Sequence, residues 1–131
     1  MTGEAQLFDQ TTAALAAARA YADAALAALR ARVCGDGKVV ATLLEREQRA
    51  AHGYAWIEAT VAARAALGRW AEAGRARGAA GAAEADVVVI GFGEYLAQLV
   101  GGLPMGPNEV VRPADLGWRS LPPGWRPIRR W

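Results

Sequence analysis

The chain has 131 residues, 53% of them hydrophobic, with 15 Lys and Arg against 13 Asp and Glu and a formal charge of +2. Eleven of the basic residues and all the acids precede Trp118, so the body carries −2 and the segment from Trp118 onward +4, a distribution that excludes a globally basic nucleic-acid binder. The acidic N-terminus is no signal peptide, the longest apolar run, Val87 to Ile90, is too short for a bilayer, and a single Cys34 permits no intrachain disulfide, so a cytoplasmic protein without a membrane or nucleic-acid partner is expected.

The length fits one domain. Much of its apolar content is Ala, and each Ala buries little area, so a homodimer is expected to complete the core. The first helix is predicted over about Leu7 to Val33, where Leu15, Ala18, Ala22, Ala25, Leu29 and Val33 make one stripe at spacings of three and four. Cys34 to Lys38, with two glycines, reads as a loop. A second helix runs from about Val39 into the 70s. Its seam is read as Val40, Leu44, Ala51, Ala55, Ala62 and Ala65, with Leu43, Tyr54, Ile57 and Val61 beside it. Gly68 is a candidate bend, and Gly74 or Gly78 a stop. The third helix spans about Ala83 to Val100, and close packing is expected to compensate for Gly91 and Gly93 inside it. Gly101 and Gly102 end it. Leu103 to Asn108 reads as extended and turn-rich, and Arg112-Pro113 argues against helix. No strand is predicted. The fold expected is all-α: a short bundle of three main helices over residues 1–117, then an irregular basic arm rich in Trp and Pro over 118–131.

His52 is the only His. On a continuous helix Glu45 lies within about 20° of it and Gln48 within about 40°, with Trp56 one turn on, which makes a polar and aromatic stripe. The plainer reading of His52 is a core or interface residue hydrogen-bonded to a carboxylate. Glu94 is a carboxylate in the most apolar helix, and burying it requires a partner such as Arg64, Arg69 or a metal. An antiparallel hairpin of helices two and three, turning near Gly78, sets His52 level with Met105 to Glu109. Asp23 of the first helix falls at the same level. Glu109 and Asp23 are then the nearer neighbours for His52 within one chain. Cys34 lies some 20 Å from His52 along the helix, too far for a nucleophile pair. Ser120, the only Ser, sits in the tail, which disfavours a Ser-His-Asp triad. Gly91-Phe-Gly-Glu-Tyr-Leu is not a dinucleotide loop. The tail interleaves Trp118, Trp125 and Trp131 with four Arg. That mixture suits single strands or membrane surfaces in other settings, but packing on the bundle or disorder is the plainer reading here.

Three strings in order, Leu44-Glu-Arg-Glu-Gln48 with His52-Gly-Tyr-Ala-Trp56, Ile90-Gly-Phe-Gly-Glu-Tyr-Leu96 with Gly101-Gly-Leu-Pro-Met105, and Val111-Arg-Pro-Ala-Asp-Leu-Gly117, resemble the helical N-terminal extension of methylsuccinyl-CoA dehydrogenases, flavoenzymes of the acyl-CoA dehydrogenase superfamily. The resemblance covers Leu43 to Gly117. The flavin and catalytic domains of that family would follow, and the sequence after Gly117 does not look like them. The resemblance therefore implies a helical module with no flavin and no dehydrogenase activity of its own.

Two functions follow. The first is a small metal-dependent hydrolase of activated phosphodiesters or phosphotriesters. His52, Glu45 and Glu94 would bind Zn²⁺ or Mn²⁺, Glu45, Gln48 and Glu109 would serve catalysis, and Arg side chains would hold a small anionic ester. The second is a non-catalytic dimerisation or interaction module derived from the flavoenzyme, with His52 structural.

Overall fold

The structure, a computed structural model, describes residues 3–118, with the side chains of residues 4 and 5 left aside. The tail expected over 118–131 therefore lies, past Trp118, outside the described residues. Three long helices make the body: α1 (Gly3–Val33), α3 (Gln48–Ala76) and α4 (Ala82–Gly101), with a short α2 (Ala41–Arg46) leading into α3. This is the expected all-α bundle, and it carries two small hairpins that periodicity did not reveal. β1 (Cys34–Gly35) pairs with β2 (Lys38–Val39), and β3 (Leu103–Gly106) with β4 (Glu109–Val111). The first turns on Asp36-Gly37, both at positive φ (49° and 76°), the two-residue turn whose twist matches paired strands. A 3₁₀ turn, Pro113–Leu116, closes the described chain. Pro113 opens it because Arg112 is extended, as a residue before proline prefers.

Most of the α1 stripe is buried as read: Ala18, Ala22, Ala25, Leu29 and Val33 are all inside, while Leu15 is only partly buried. Thin Ala positions are filled from across the bundle by Ile57, Phe92 and Leu99, each at or below 1% exposed. The second predicted helix needs two corrections. It breaks at Glu47 (φ −104°, ψ 19°), between α2 and α3. No Gly or Pro lies there; Arg32 of α1 holds the Glu47 carboxylate from outside the helix, a tie invisible to local pattern. Its buried face is Ala50, Gly53, Ile57, Thr60, Val61 and Ala71. The seam read through Leu44, Ala55 and Ala62 faces solvent. Ala is compatible with either side, so an Ala row does not mark the core.

Two glycines set the distances between layers. A Cβ on Gly53 would run into the Val111 side chain, with Val111 Cβ only 2.9 Å away, so β4 can lie directly on α3. A Cβ on Gly91 would meet Leu67 Cδ2, the close packing expected for that position. Gly93 has open space around it and no such reason.

The segment after α4, residues 103–118, forms a C-terminal arm clasped to the bundle by charge and by shape. Arg49 donates to Asp115 (3.0 Å) and to the Val110 carbonyl (2.8 Å). Arg32 donates to the Asp115 carbonyl (3.0 Å) as well as to Glu47. Asp115 also accepts from the Arg112 N–H at 2.8 Å. Burial alone would raise the Asp115 carboxyl, but the Arg112 N–H and the Arg49 guanidinium outweigh it and leave it below the ordinary carboxylate value. Trp118 then packs edge-on against Tyr21, ring centroids 5.3 Å apart.

Candidate functional site

His52 sits on the first turns of α3, one residue from the buried Gly53, and it is exposed. Of the core or interface place expected for it, its exposure removes the core, and its partner is an indole and not a carboxylate. The Nε2 atom accepts a hydrogen bond from the Trp56 indole N–H at 2.9 Å, and the rings lie 6.4 Å apart. Their separation of four residues puts them on one helix face. An Nε2 that accepts from an indole has its lone pair engaged, so metal binding there would first require breaking that bond.

The remaining candidates divide in space. An open groove is lined by Leu44, Gln48, Arg49, Ala51, His52, Met105 and Glu109. The hairpin register had set Glu109 beside His52, and the groove brings Gln48, His52 and Glu109 together. Glu45 does not join them. It lies on α2, beyond the break at Glu47, so the continuous helix that aligned it with His52 does not exist. Glu94 is exposed on α4 and lines a separate shallow depression with Gly93, Ala97, Gln98, Gly101 and Gly102. It therefore needs no buried partner. Arg64, expected to supply one, instead donates to the Gly91 carbonyl and lies 4.1 Å over the Tyr95 ring. Burial holds its guanidinium below the ordinary value. Among the described residues no three His, Cys, Asp or Glu side chains come together as a metal site. The divalent Zn or Mn expected at His52, Glu45 and Glu94 has no such cluster to occupy.

Sequence reasoning missed the strongest polar assembly. Arg19 of α1 grips Glu58 of α3 with two bonds of 2.6 Å each, and its Nε donates to Asp23 at 3.0 Å. The Tyr54 hydroxyl donates to the same Glu58 carboxylate at 3.3 Å. The bond from Arg19 holds Glu58 below the ordinary carboxylate value, while Glu58 raises Arg19. Asp23 is thus committed to Arg19 and not to His52. The partners Arg19 and Glu58 are 39 residues apart in sequence, and no local signal links them. A fork-to-fork pair of this kind fixes the register of two helices.

The described polar groups tie helices and arm together, and the described chain is an all-α helical bundle. No protein-family model matches the chain. It is 40% identical over 127 residues, 95% of its length, to the (2S)-methylsuccinyl-CoA dehydrogenase of Cereibacter sphaeroides, and it spans 23% of that enzyme. The match bears out the resemblance carried by the Leu44, Ile90 and Val111 strings. It also overturns the metal-dependent phosphoester hydrolase as the leading function, because the relative is a dehydrogenase and the likeness runs through nearly the whole chain. The parts assigned there to Glu45, Gln48 and Glu109 fall with it. No described helix is long and apolar enough to cross a membrane.

Proposed function

We propose that this chain is a non-catalytic helical interaction module related to part of a flavin-dependent acyl-CoA dehydrogenase. It pairs with a second copy of itself and docks on such a flavoenzyme in the cytoplasm. The observation that carries this reading is the likeness along nearly the whole chain, 40% identity over 127 residues, to a helical stretch of a dehydrogenase. Half-exposed Trp56 (41%) and Trp70 (46%) on α3 support it, since large aromatics left in water are characteristic of surfaces that meet a partner. Sedimentation equilibrium of the full chain should give twice its 13.8 kDa mass. A single 13.8 kDa species across the micromolar range would remove self-association. Turnover of methylsuccinyl-CoA by the purified chain, with flavin and an electron acceptor supplied, would overturn the non-catalytic assignment.

A further inference from the structure

One face of α3 is exposed and carries no charge. His52, Trp56, Ala59, Ala63, Ala66, Trp70 and Ala73 follow one another at spacings that alternate four and three, and all seven are exposed. That is the seam of a coiled coil, sustained for three heptads. No Asp, Glu, Lys or Arg falls within it, although Arg69, Glu72 and Arg75 lie exposed elsewhere on the same helix. A solvated helix face ordinarily carries its charges there.

The seam is its own complement. Trp56 and Trp70 stand seven residues to either side of Ala63, about 10.5 Å along the axis in each direction. Turn a second copy antiparallel about Ala63, and Trp56 lies beside the partner's Trp70 at both ends. Ala59 comes within one residue of the partner's Ala66, His52 within one residue of the partner's Ala73, and Ala63 meets its own mate on the axis. An isologous interface demands this kind of pattern. The small central residues let two helix axes approach closely, and the Trp pairs close the ends over them. His52 acquires a role here: its bond to the Trp56 indole fixes the ring in one orientation. The seam offers on the order of 450 Å² per copy, and Val87 and Tyr95 on neighbouring α4, also half-exposed, bring the total for two copies to about 1,000 Å², the level at which a specific interface begins.

We infer that α3 is the dimer interface, an antiparallel pair of α3 helices centred on Ala63. This inference rests on the self-association proposed above and specifies its surface. The test uses the full chain with Cys34→Ser to remove the native thiol. Ala63→Cys should cross-link to a covalent dimer under mild oxidation, since each thiol faces its mate. Trp56→Cys and Trp70→Cys should cross-link at least tenfold more when mixed than when either is oxidised alone. Ala63→Glu, which sets two carboxylates on the axis, should weaken dimerisation at least tenfold, with unchanged helical signal because position 63 is exposed. Three results would overturn the inference. A dimer whose Ala63→Cys variant forms no cross-link, and which tolerates Ala63→Glu, joins through another surface, and self-association stands without this interface. Equal cross-linking of every variant reports random collision. A wild-type chain that is monomeric throughout ends both the interface and the self-association, and leaves the seam to a different partner protein.

Discussion

His52 and Gly53 are neighbours in sequence and the structure treats them oppositely. Gly53 is buried under Val111, where even a methyl group has no room. His52 points to water and bonds to another exposed side chain. The same contrast runs the length of α3. Its inner face, through Ile57, Val61 and Ala71, meets the large side chains of α1, α4 and the C-terminal arm. Its outer face, through Trp56, Ala63 and Trp70, is left exposed by every described element. Both faces are rich in Ala, so hydrophobicity does not separate them. What separates them is whether the rest of the chain supplies volume opposite, and that is a property of tertiary packing.

The largest test of this contrast lies on the inner side. Phe92 is 0% exposed at the centre of the bundle. Phe92→Ala should lower stability by about 3–5 kcal/mol, through lost burial and a cavity that Ala neighbours cannot fill. Urea denaturation measures it. A loss below about 1 kcal/mol would mean that the core is loosely packed. Gly53→Ala comes next. The added methyl strikes the stiff, branched Val111, whose Cβ cannot swing away, so β4 must lift from the helix. A loss of about 1–3 kcal/mol is expected, despite the better helix propensity of Ala. Gly91→Ala should cost less, because the atom it meets is the tip of Leu67, which can rotate. If the two substitutions cost the same, the arm is not held as tightly against α3 as the geometry requires.

Much of the inner side was legible in the amino-acid pattern. The α1 stripe, the extent of α4 and the stop at Gly102 follow from spacing and from glycine. The position of Glu109 near His52 followed from counting residues along an antiparallel pair. The outer side was misread for a physical reason. Ala neither demands burial nor resists exposure, so a His set among Ala residues carries no information about depth. The break at Glu47 and the Arg19–Glu58 pair were hidden for another reason. Each depends on α1 reaching a residue far away in sequence. The hairpin at Asp36-Gly37 was hidden by its brevity, because two-residue strands have no period to detect.

The Arg19–Glu58 pair gives the contrast a dependence on pH, since it joins α1 to the edge of the buried face. Glu58 is held below its ordinary value of 4.5 by Arg19. A depressed carboxyl stabilises the fold fully above its unfolded value and ceases to do so as pH falls through its folded one. Stability should therefore decline below about pH 4.5, and Glu58→Gln should flatten the part of that decline due to this site. Both partners are more than a third exposed (40% and 37%), so salt should weaken the effect. Denaturation midpoints at pH 7 and pH 3.5, with and without 0.5 M salt, read it out. An identical acid response in the wild type and Glu58→Gln would exclude the pair as its source.

The smallest effect is expected at the residue that looked most important. His52→Ala removes one hydrogen bond between two exposed side chains and leaves no buried group unpaired. Ala is the better helix former, which offsets part of the loss. The net change should fall within about 0.5 kcal/mol of zero, as for other surface substitutions. To keep association out of the measurement, the comparison belongs in an Ala63→Glu background, where the outer face is prevented from pairing. There, His52→Ala and the parent should share one urea midpoint, while Gly53→Ala, one residue away, shifts it strongly. In the chain with Ala63 intact, His52→Ala should instead act on dimerisation, because Trp56 loses the bond that orients its ring. A large loss of stability in the Ala63→Glu background would place His52 in a buried contact and erase the distinction between the two faces. Equal behaviour in both backgrounds would show that the His52–Trp56 bond has no part in pairing.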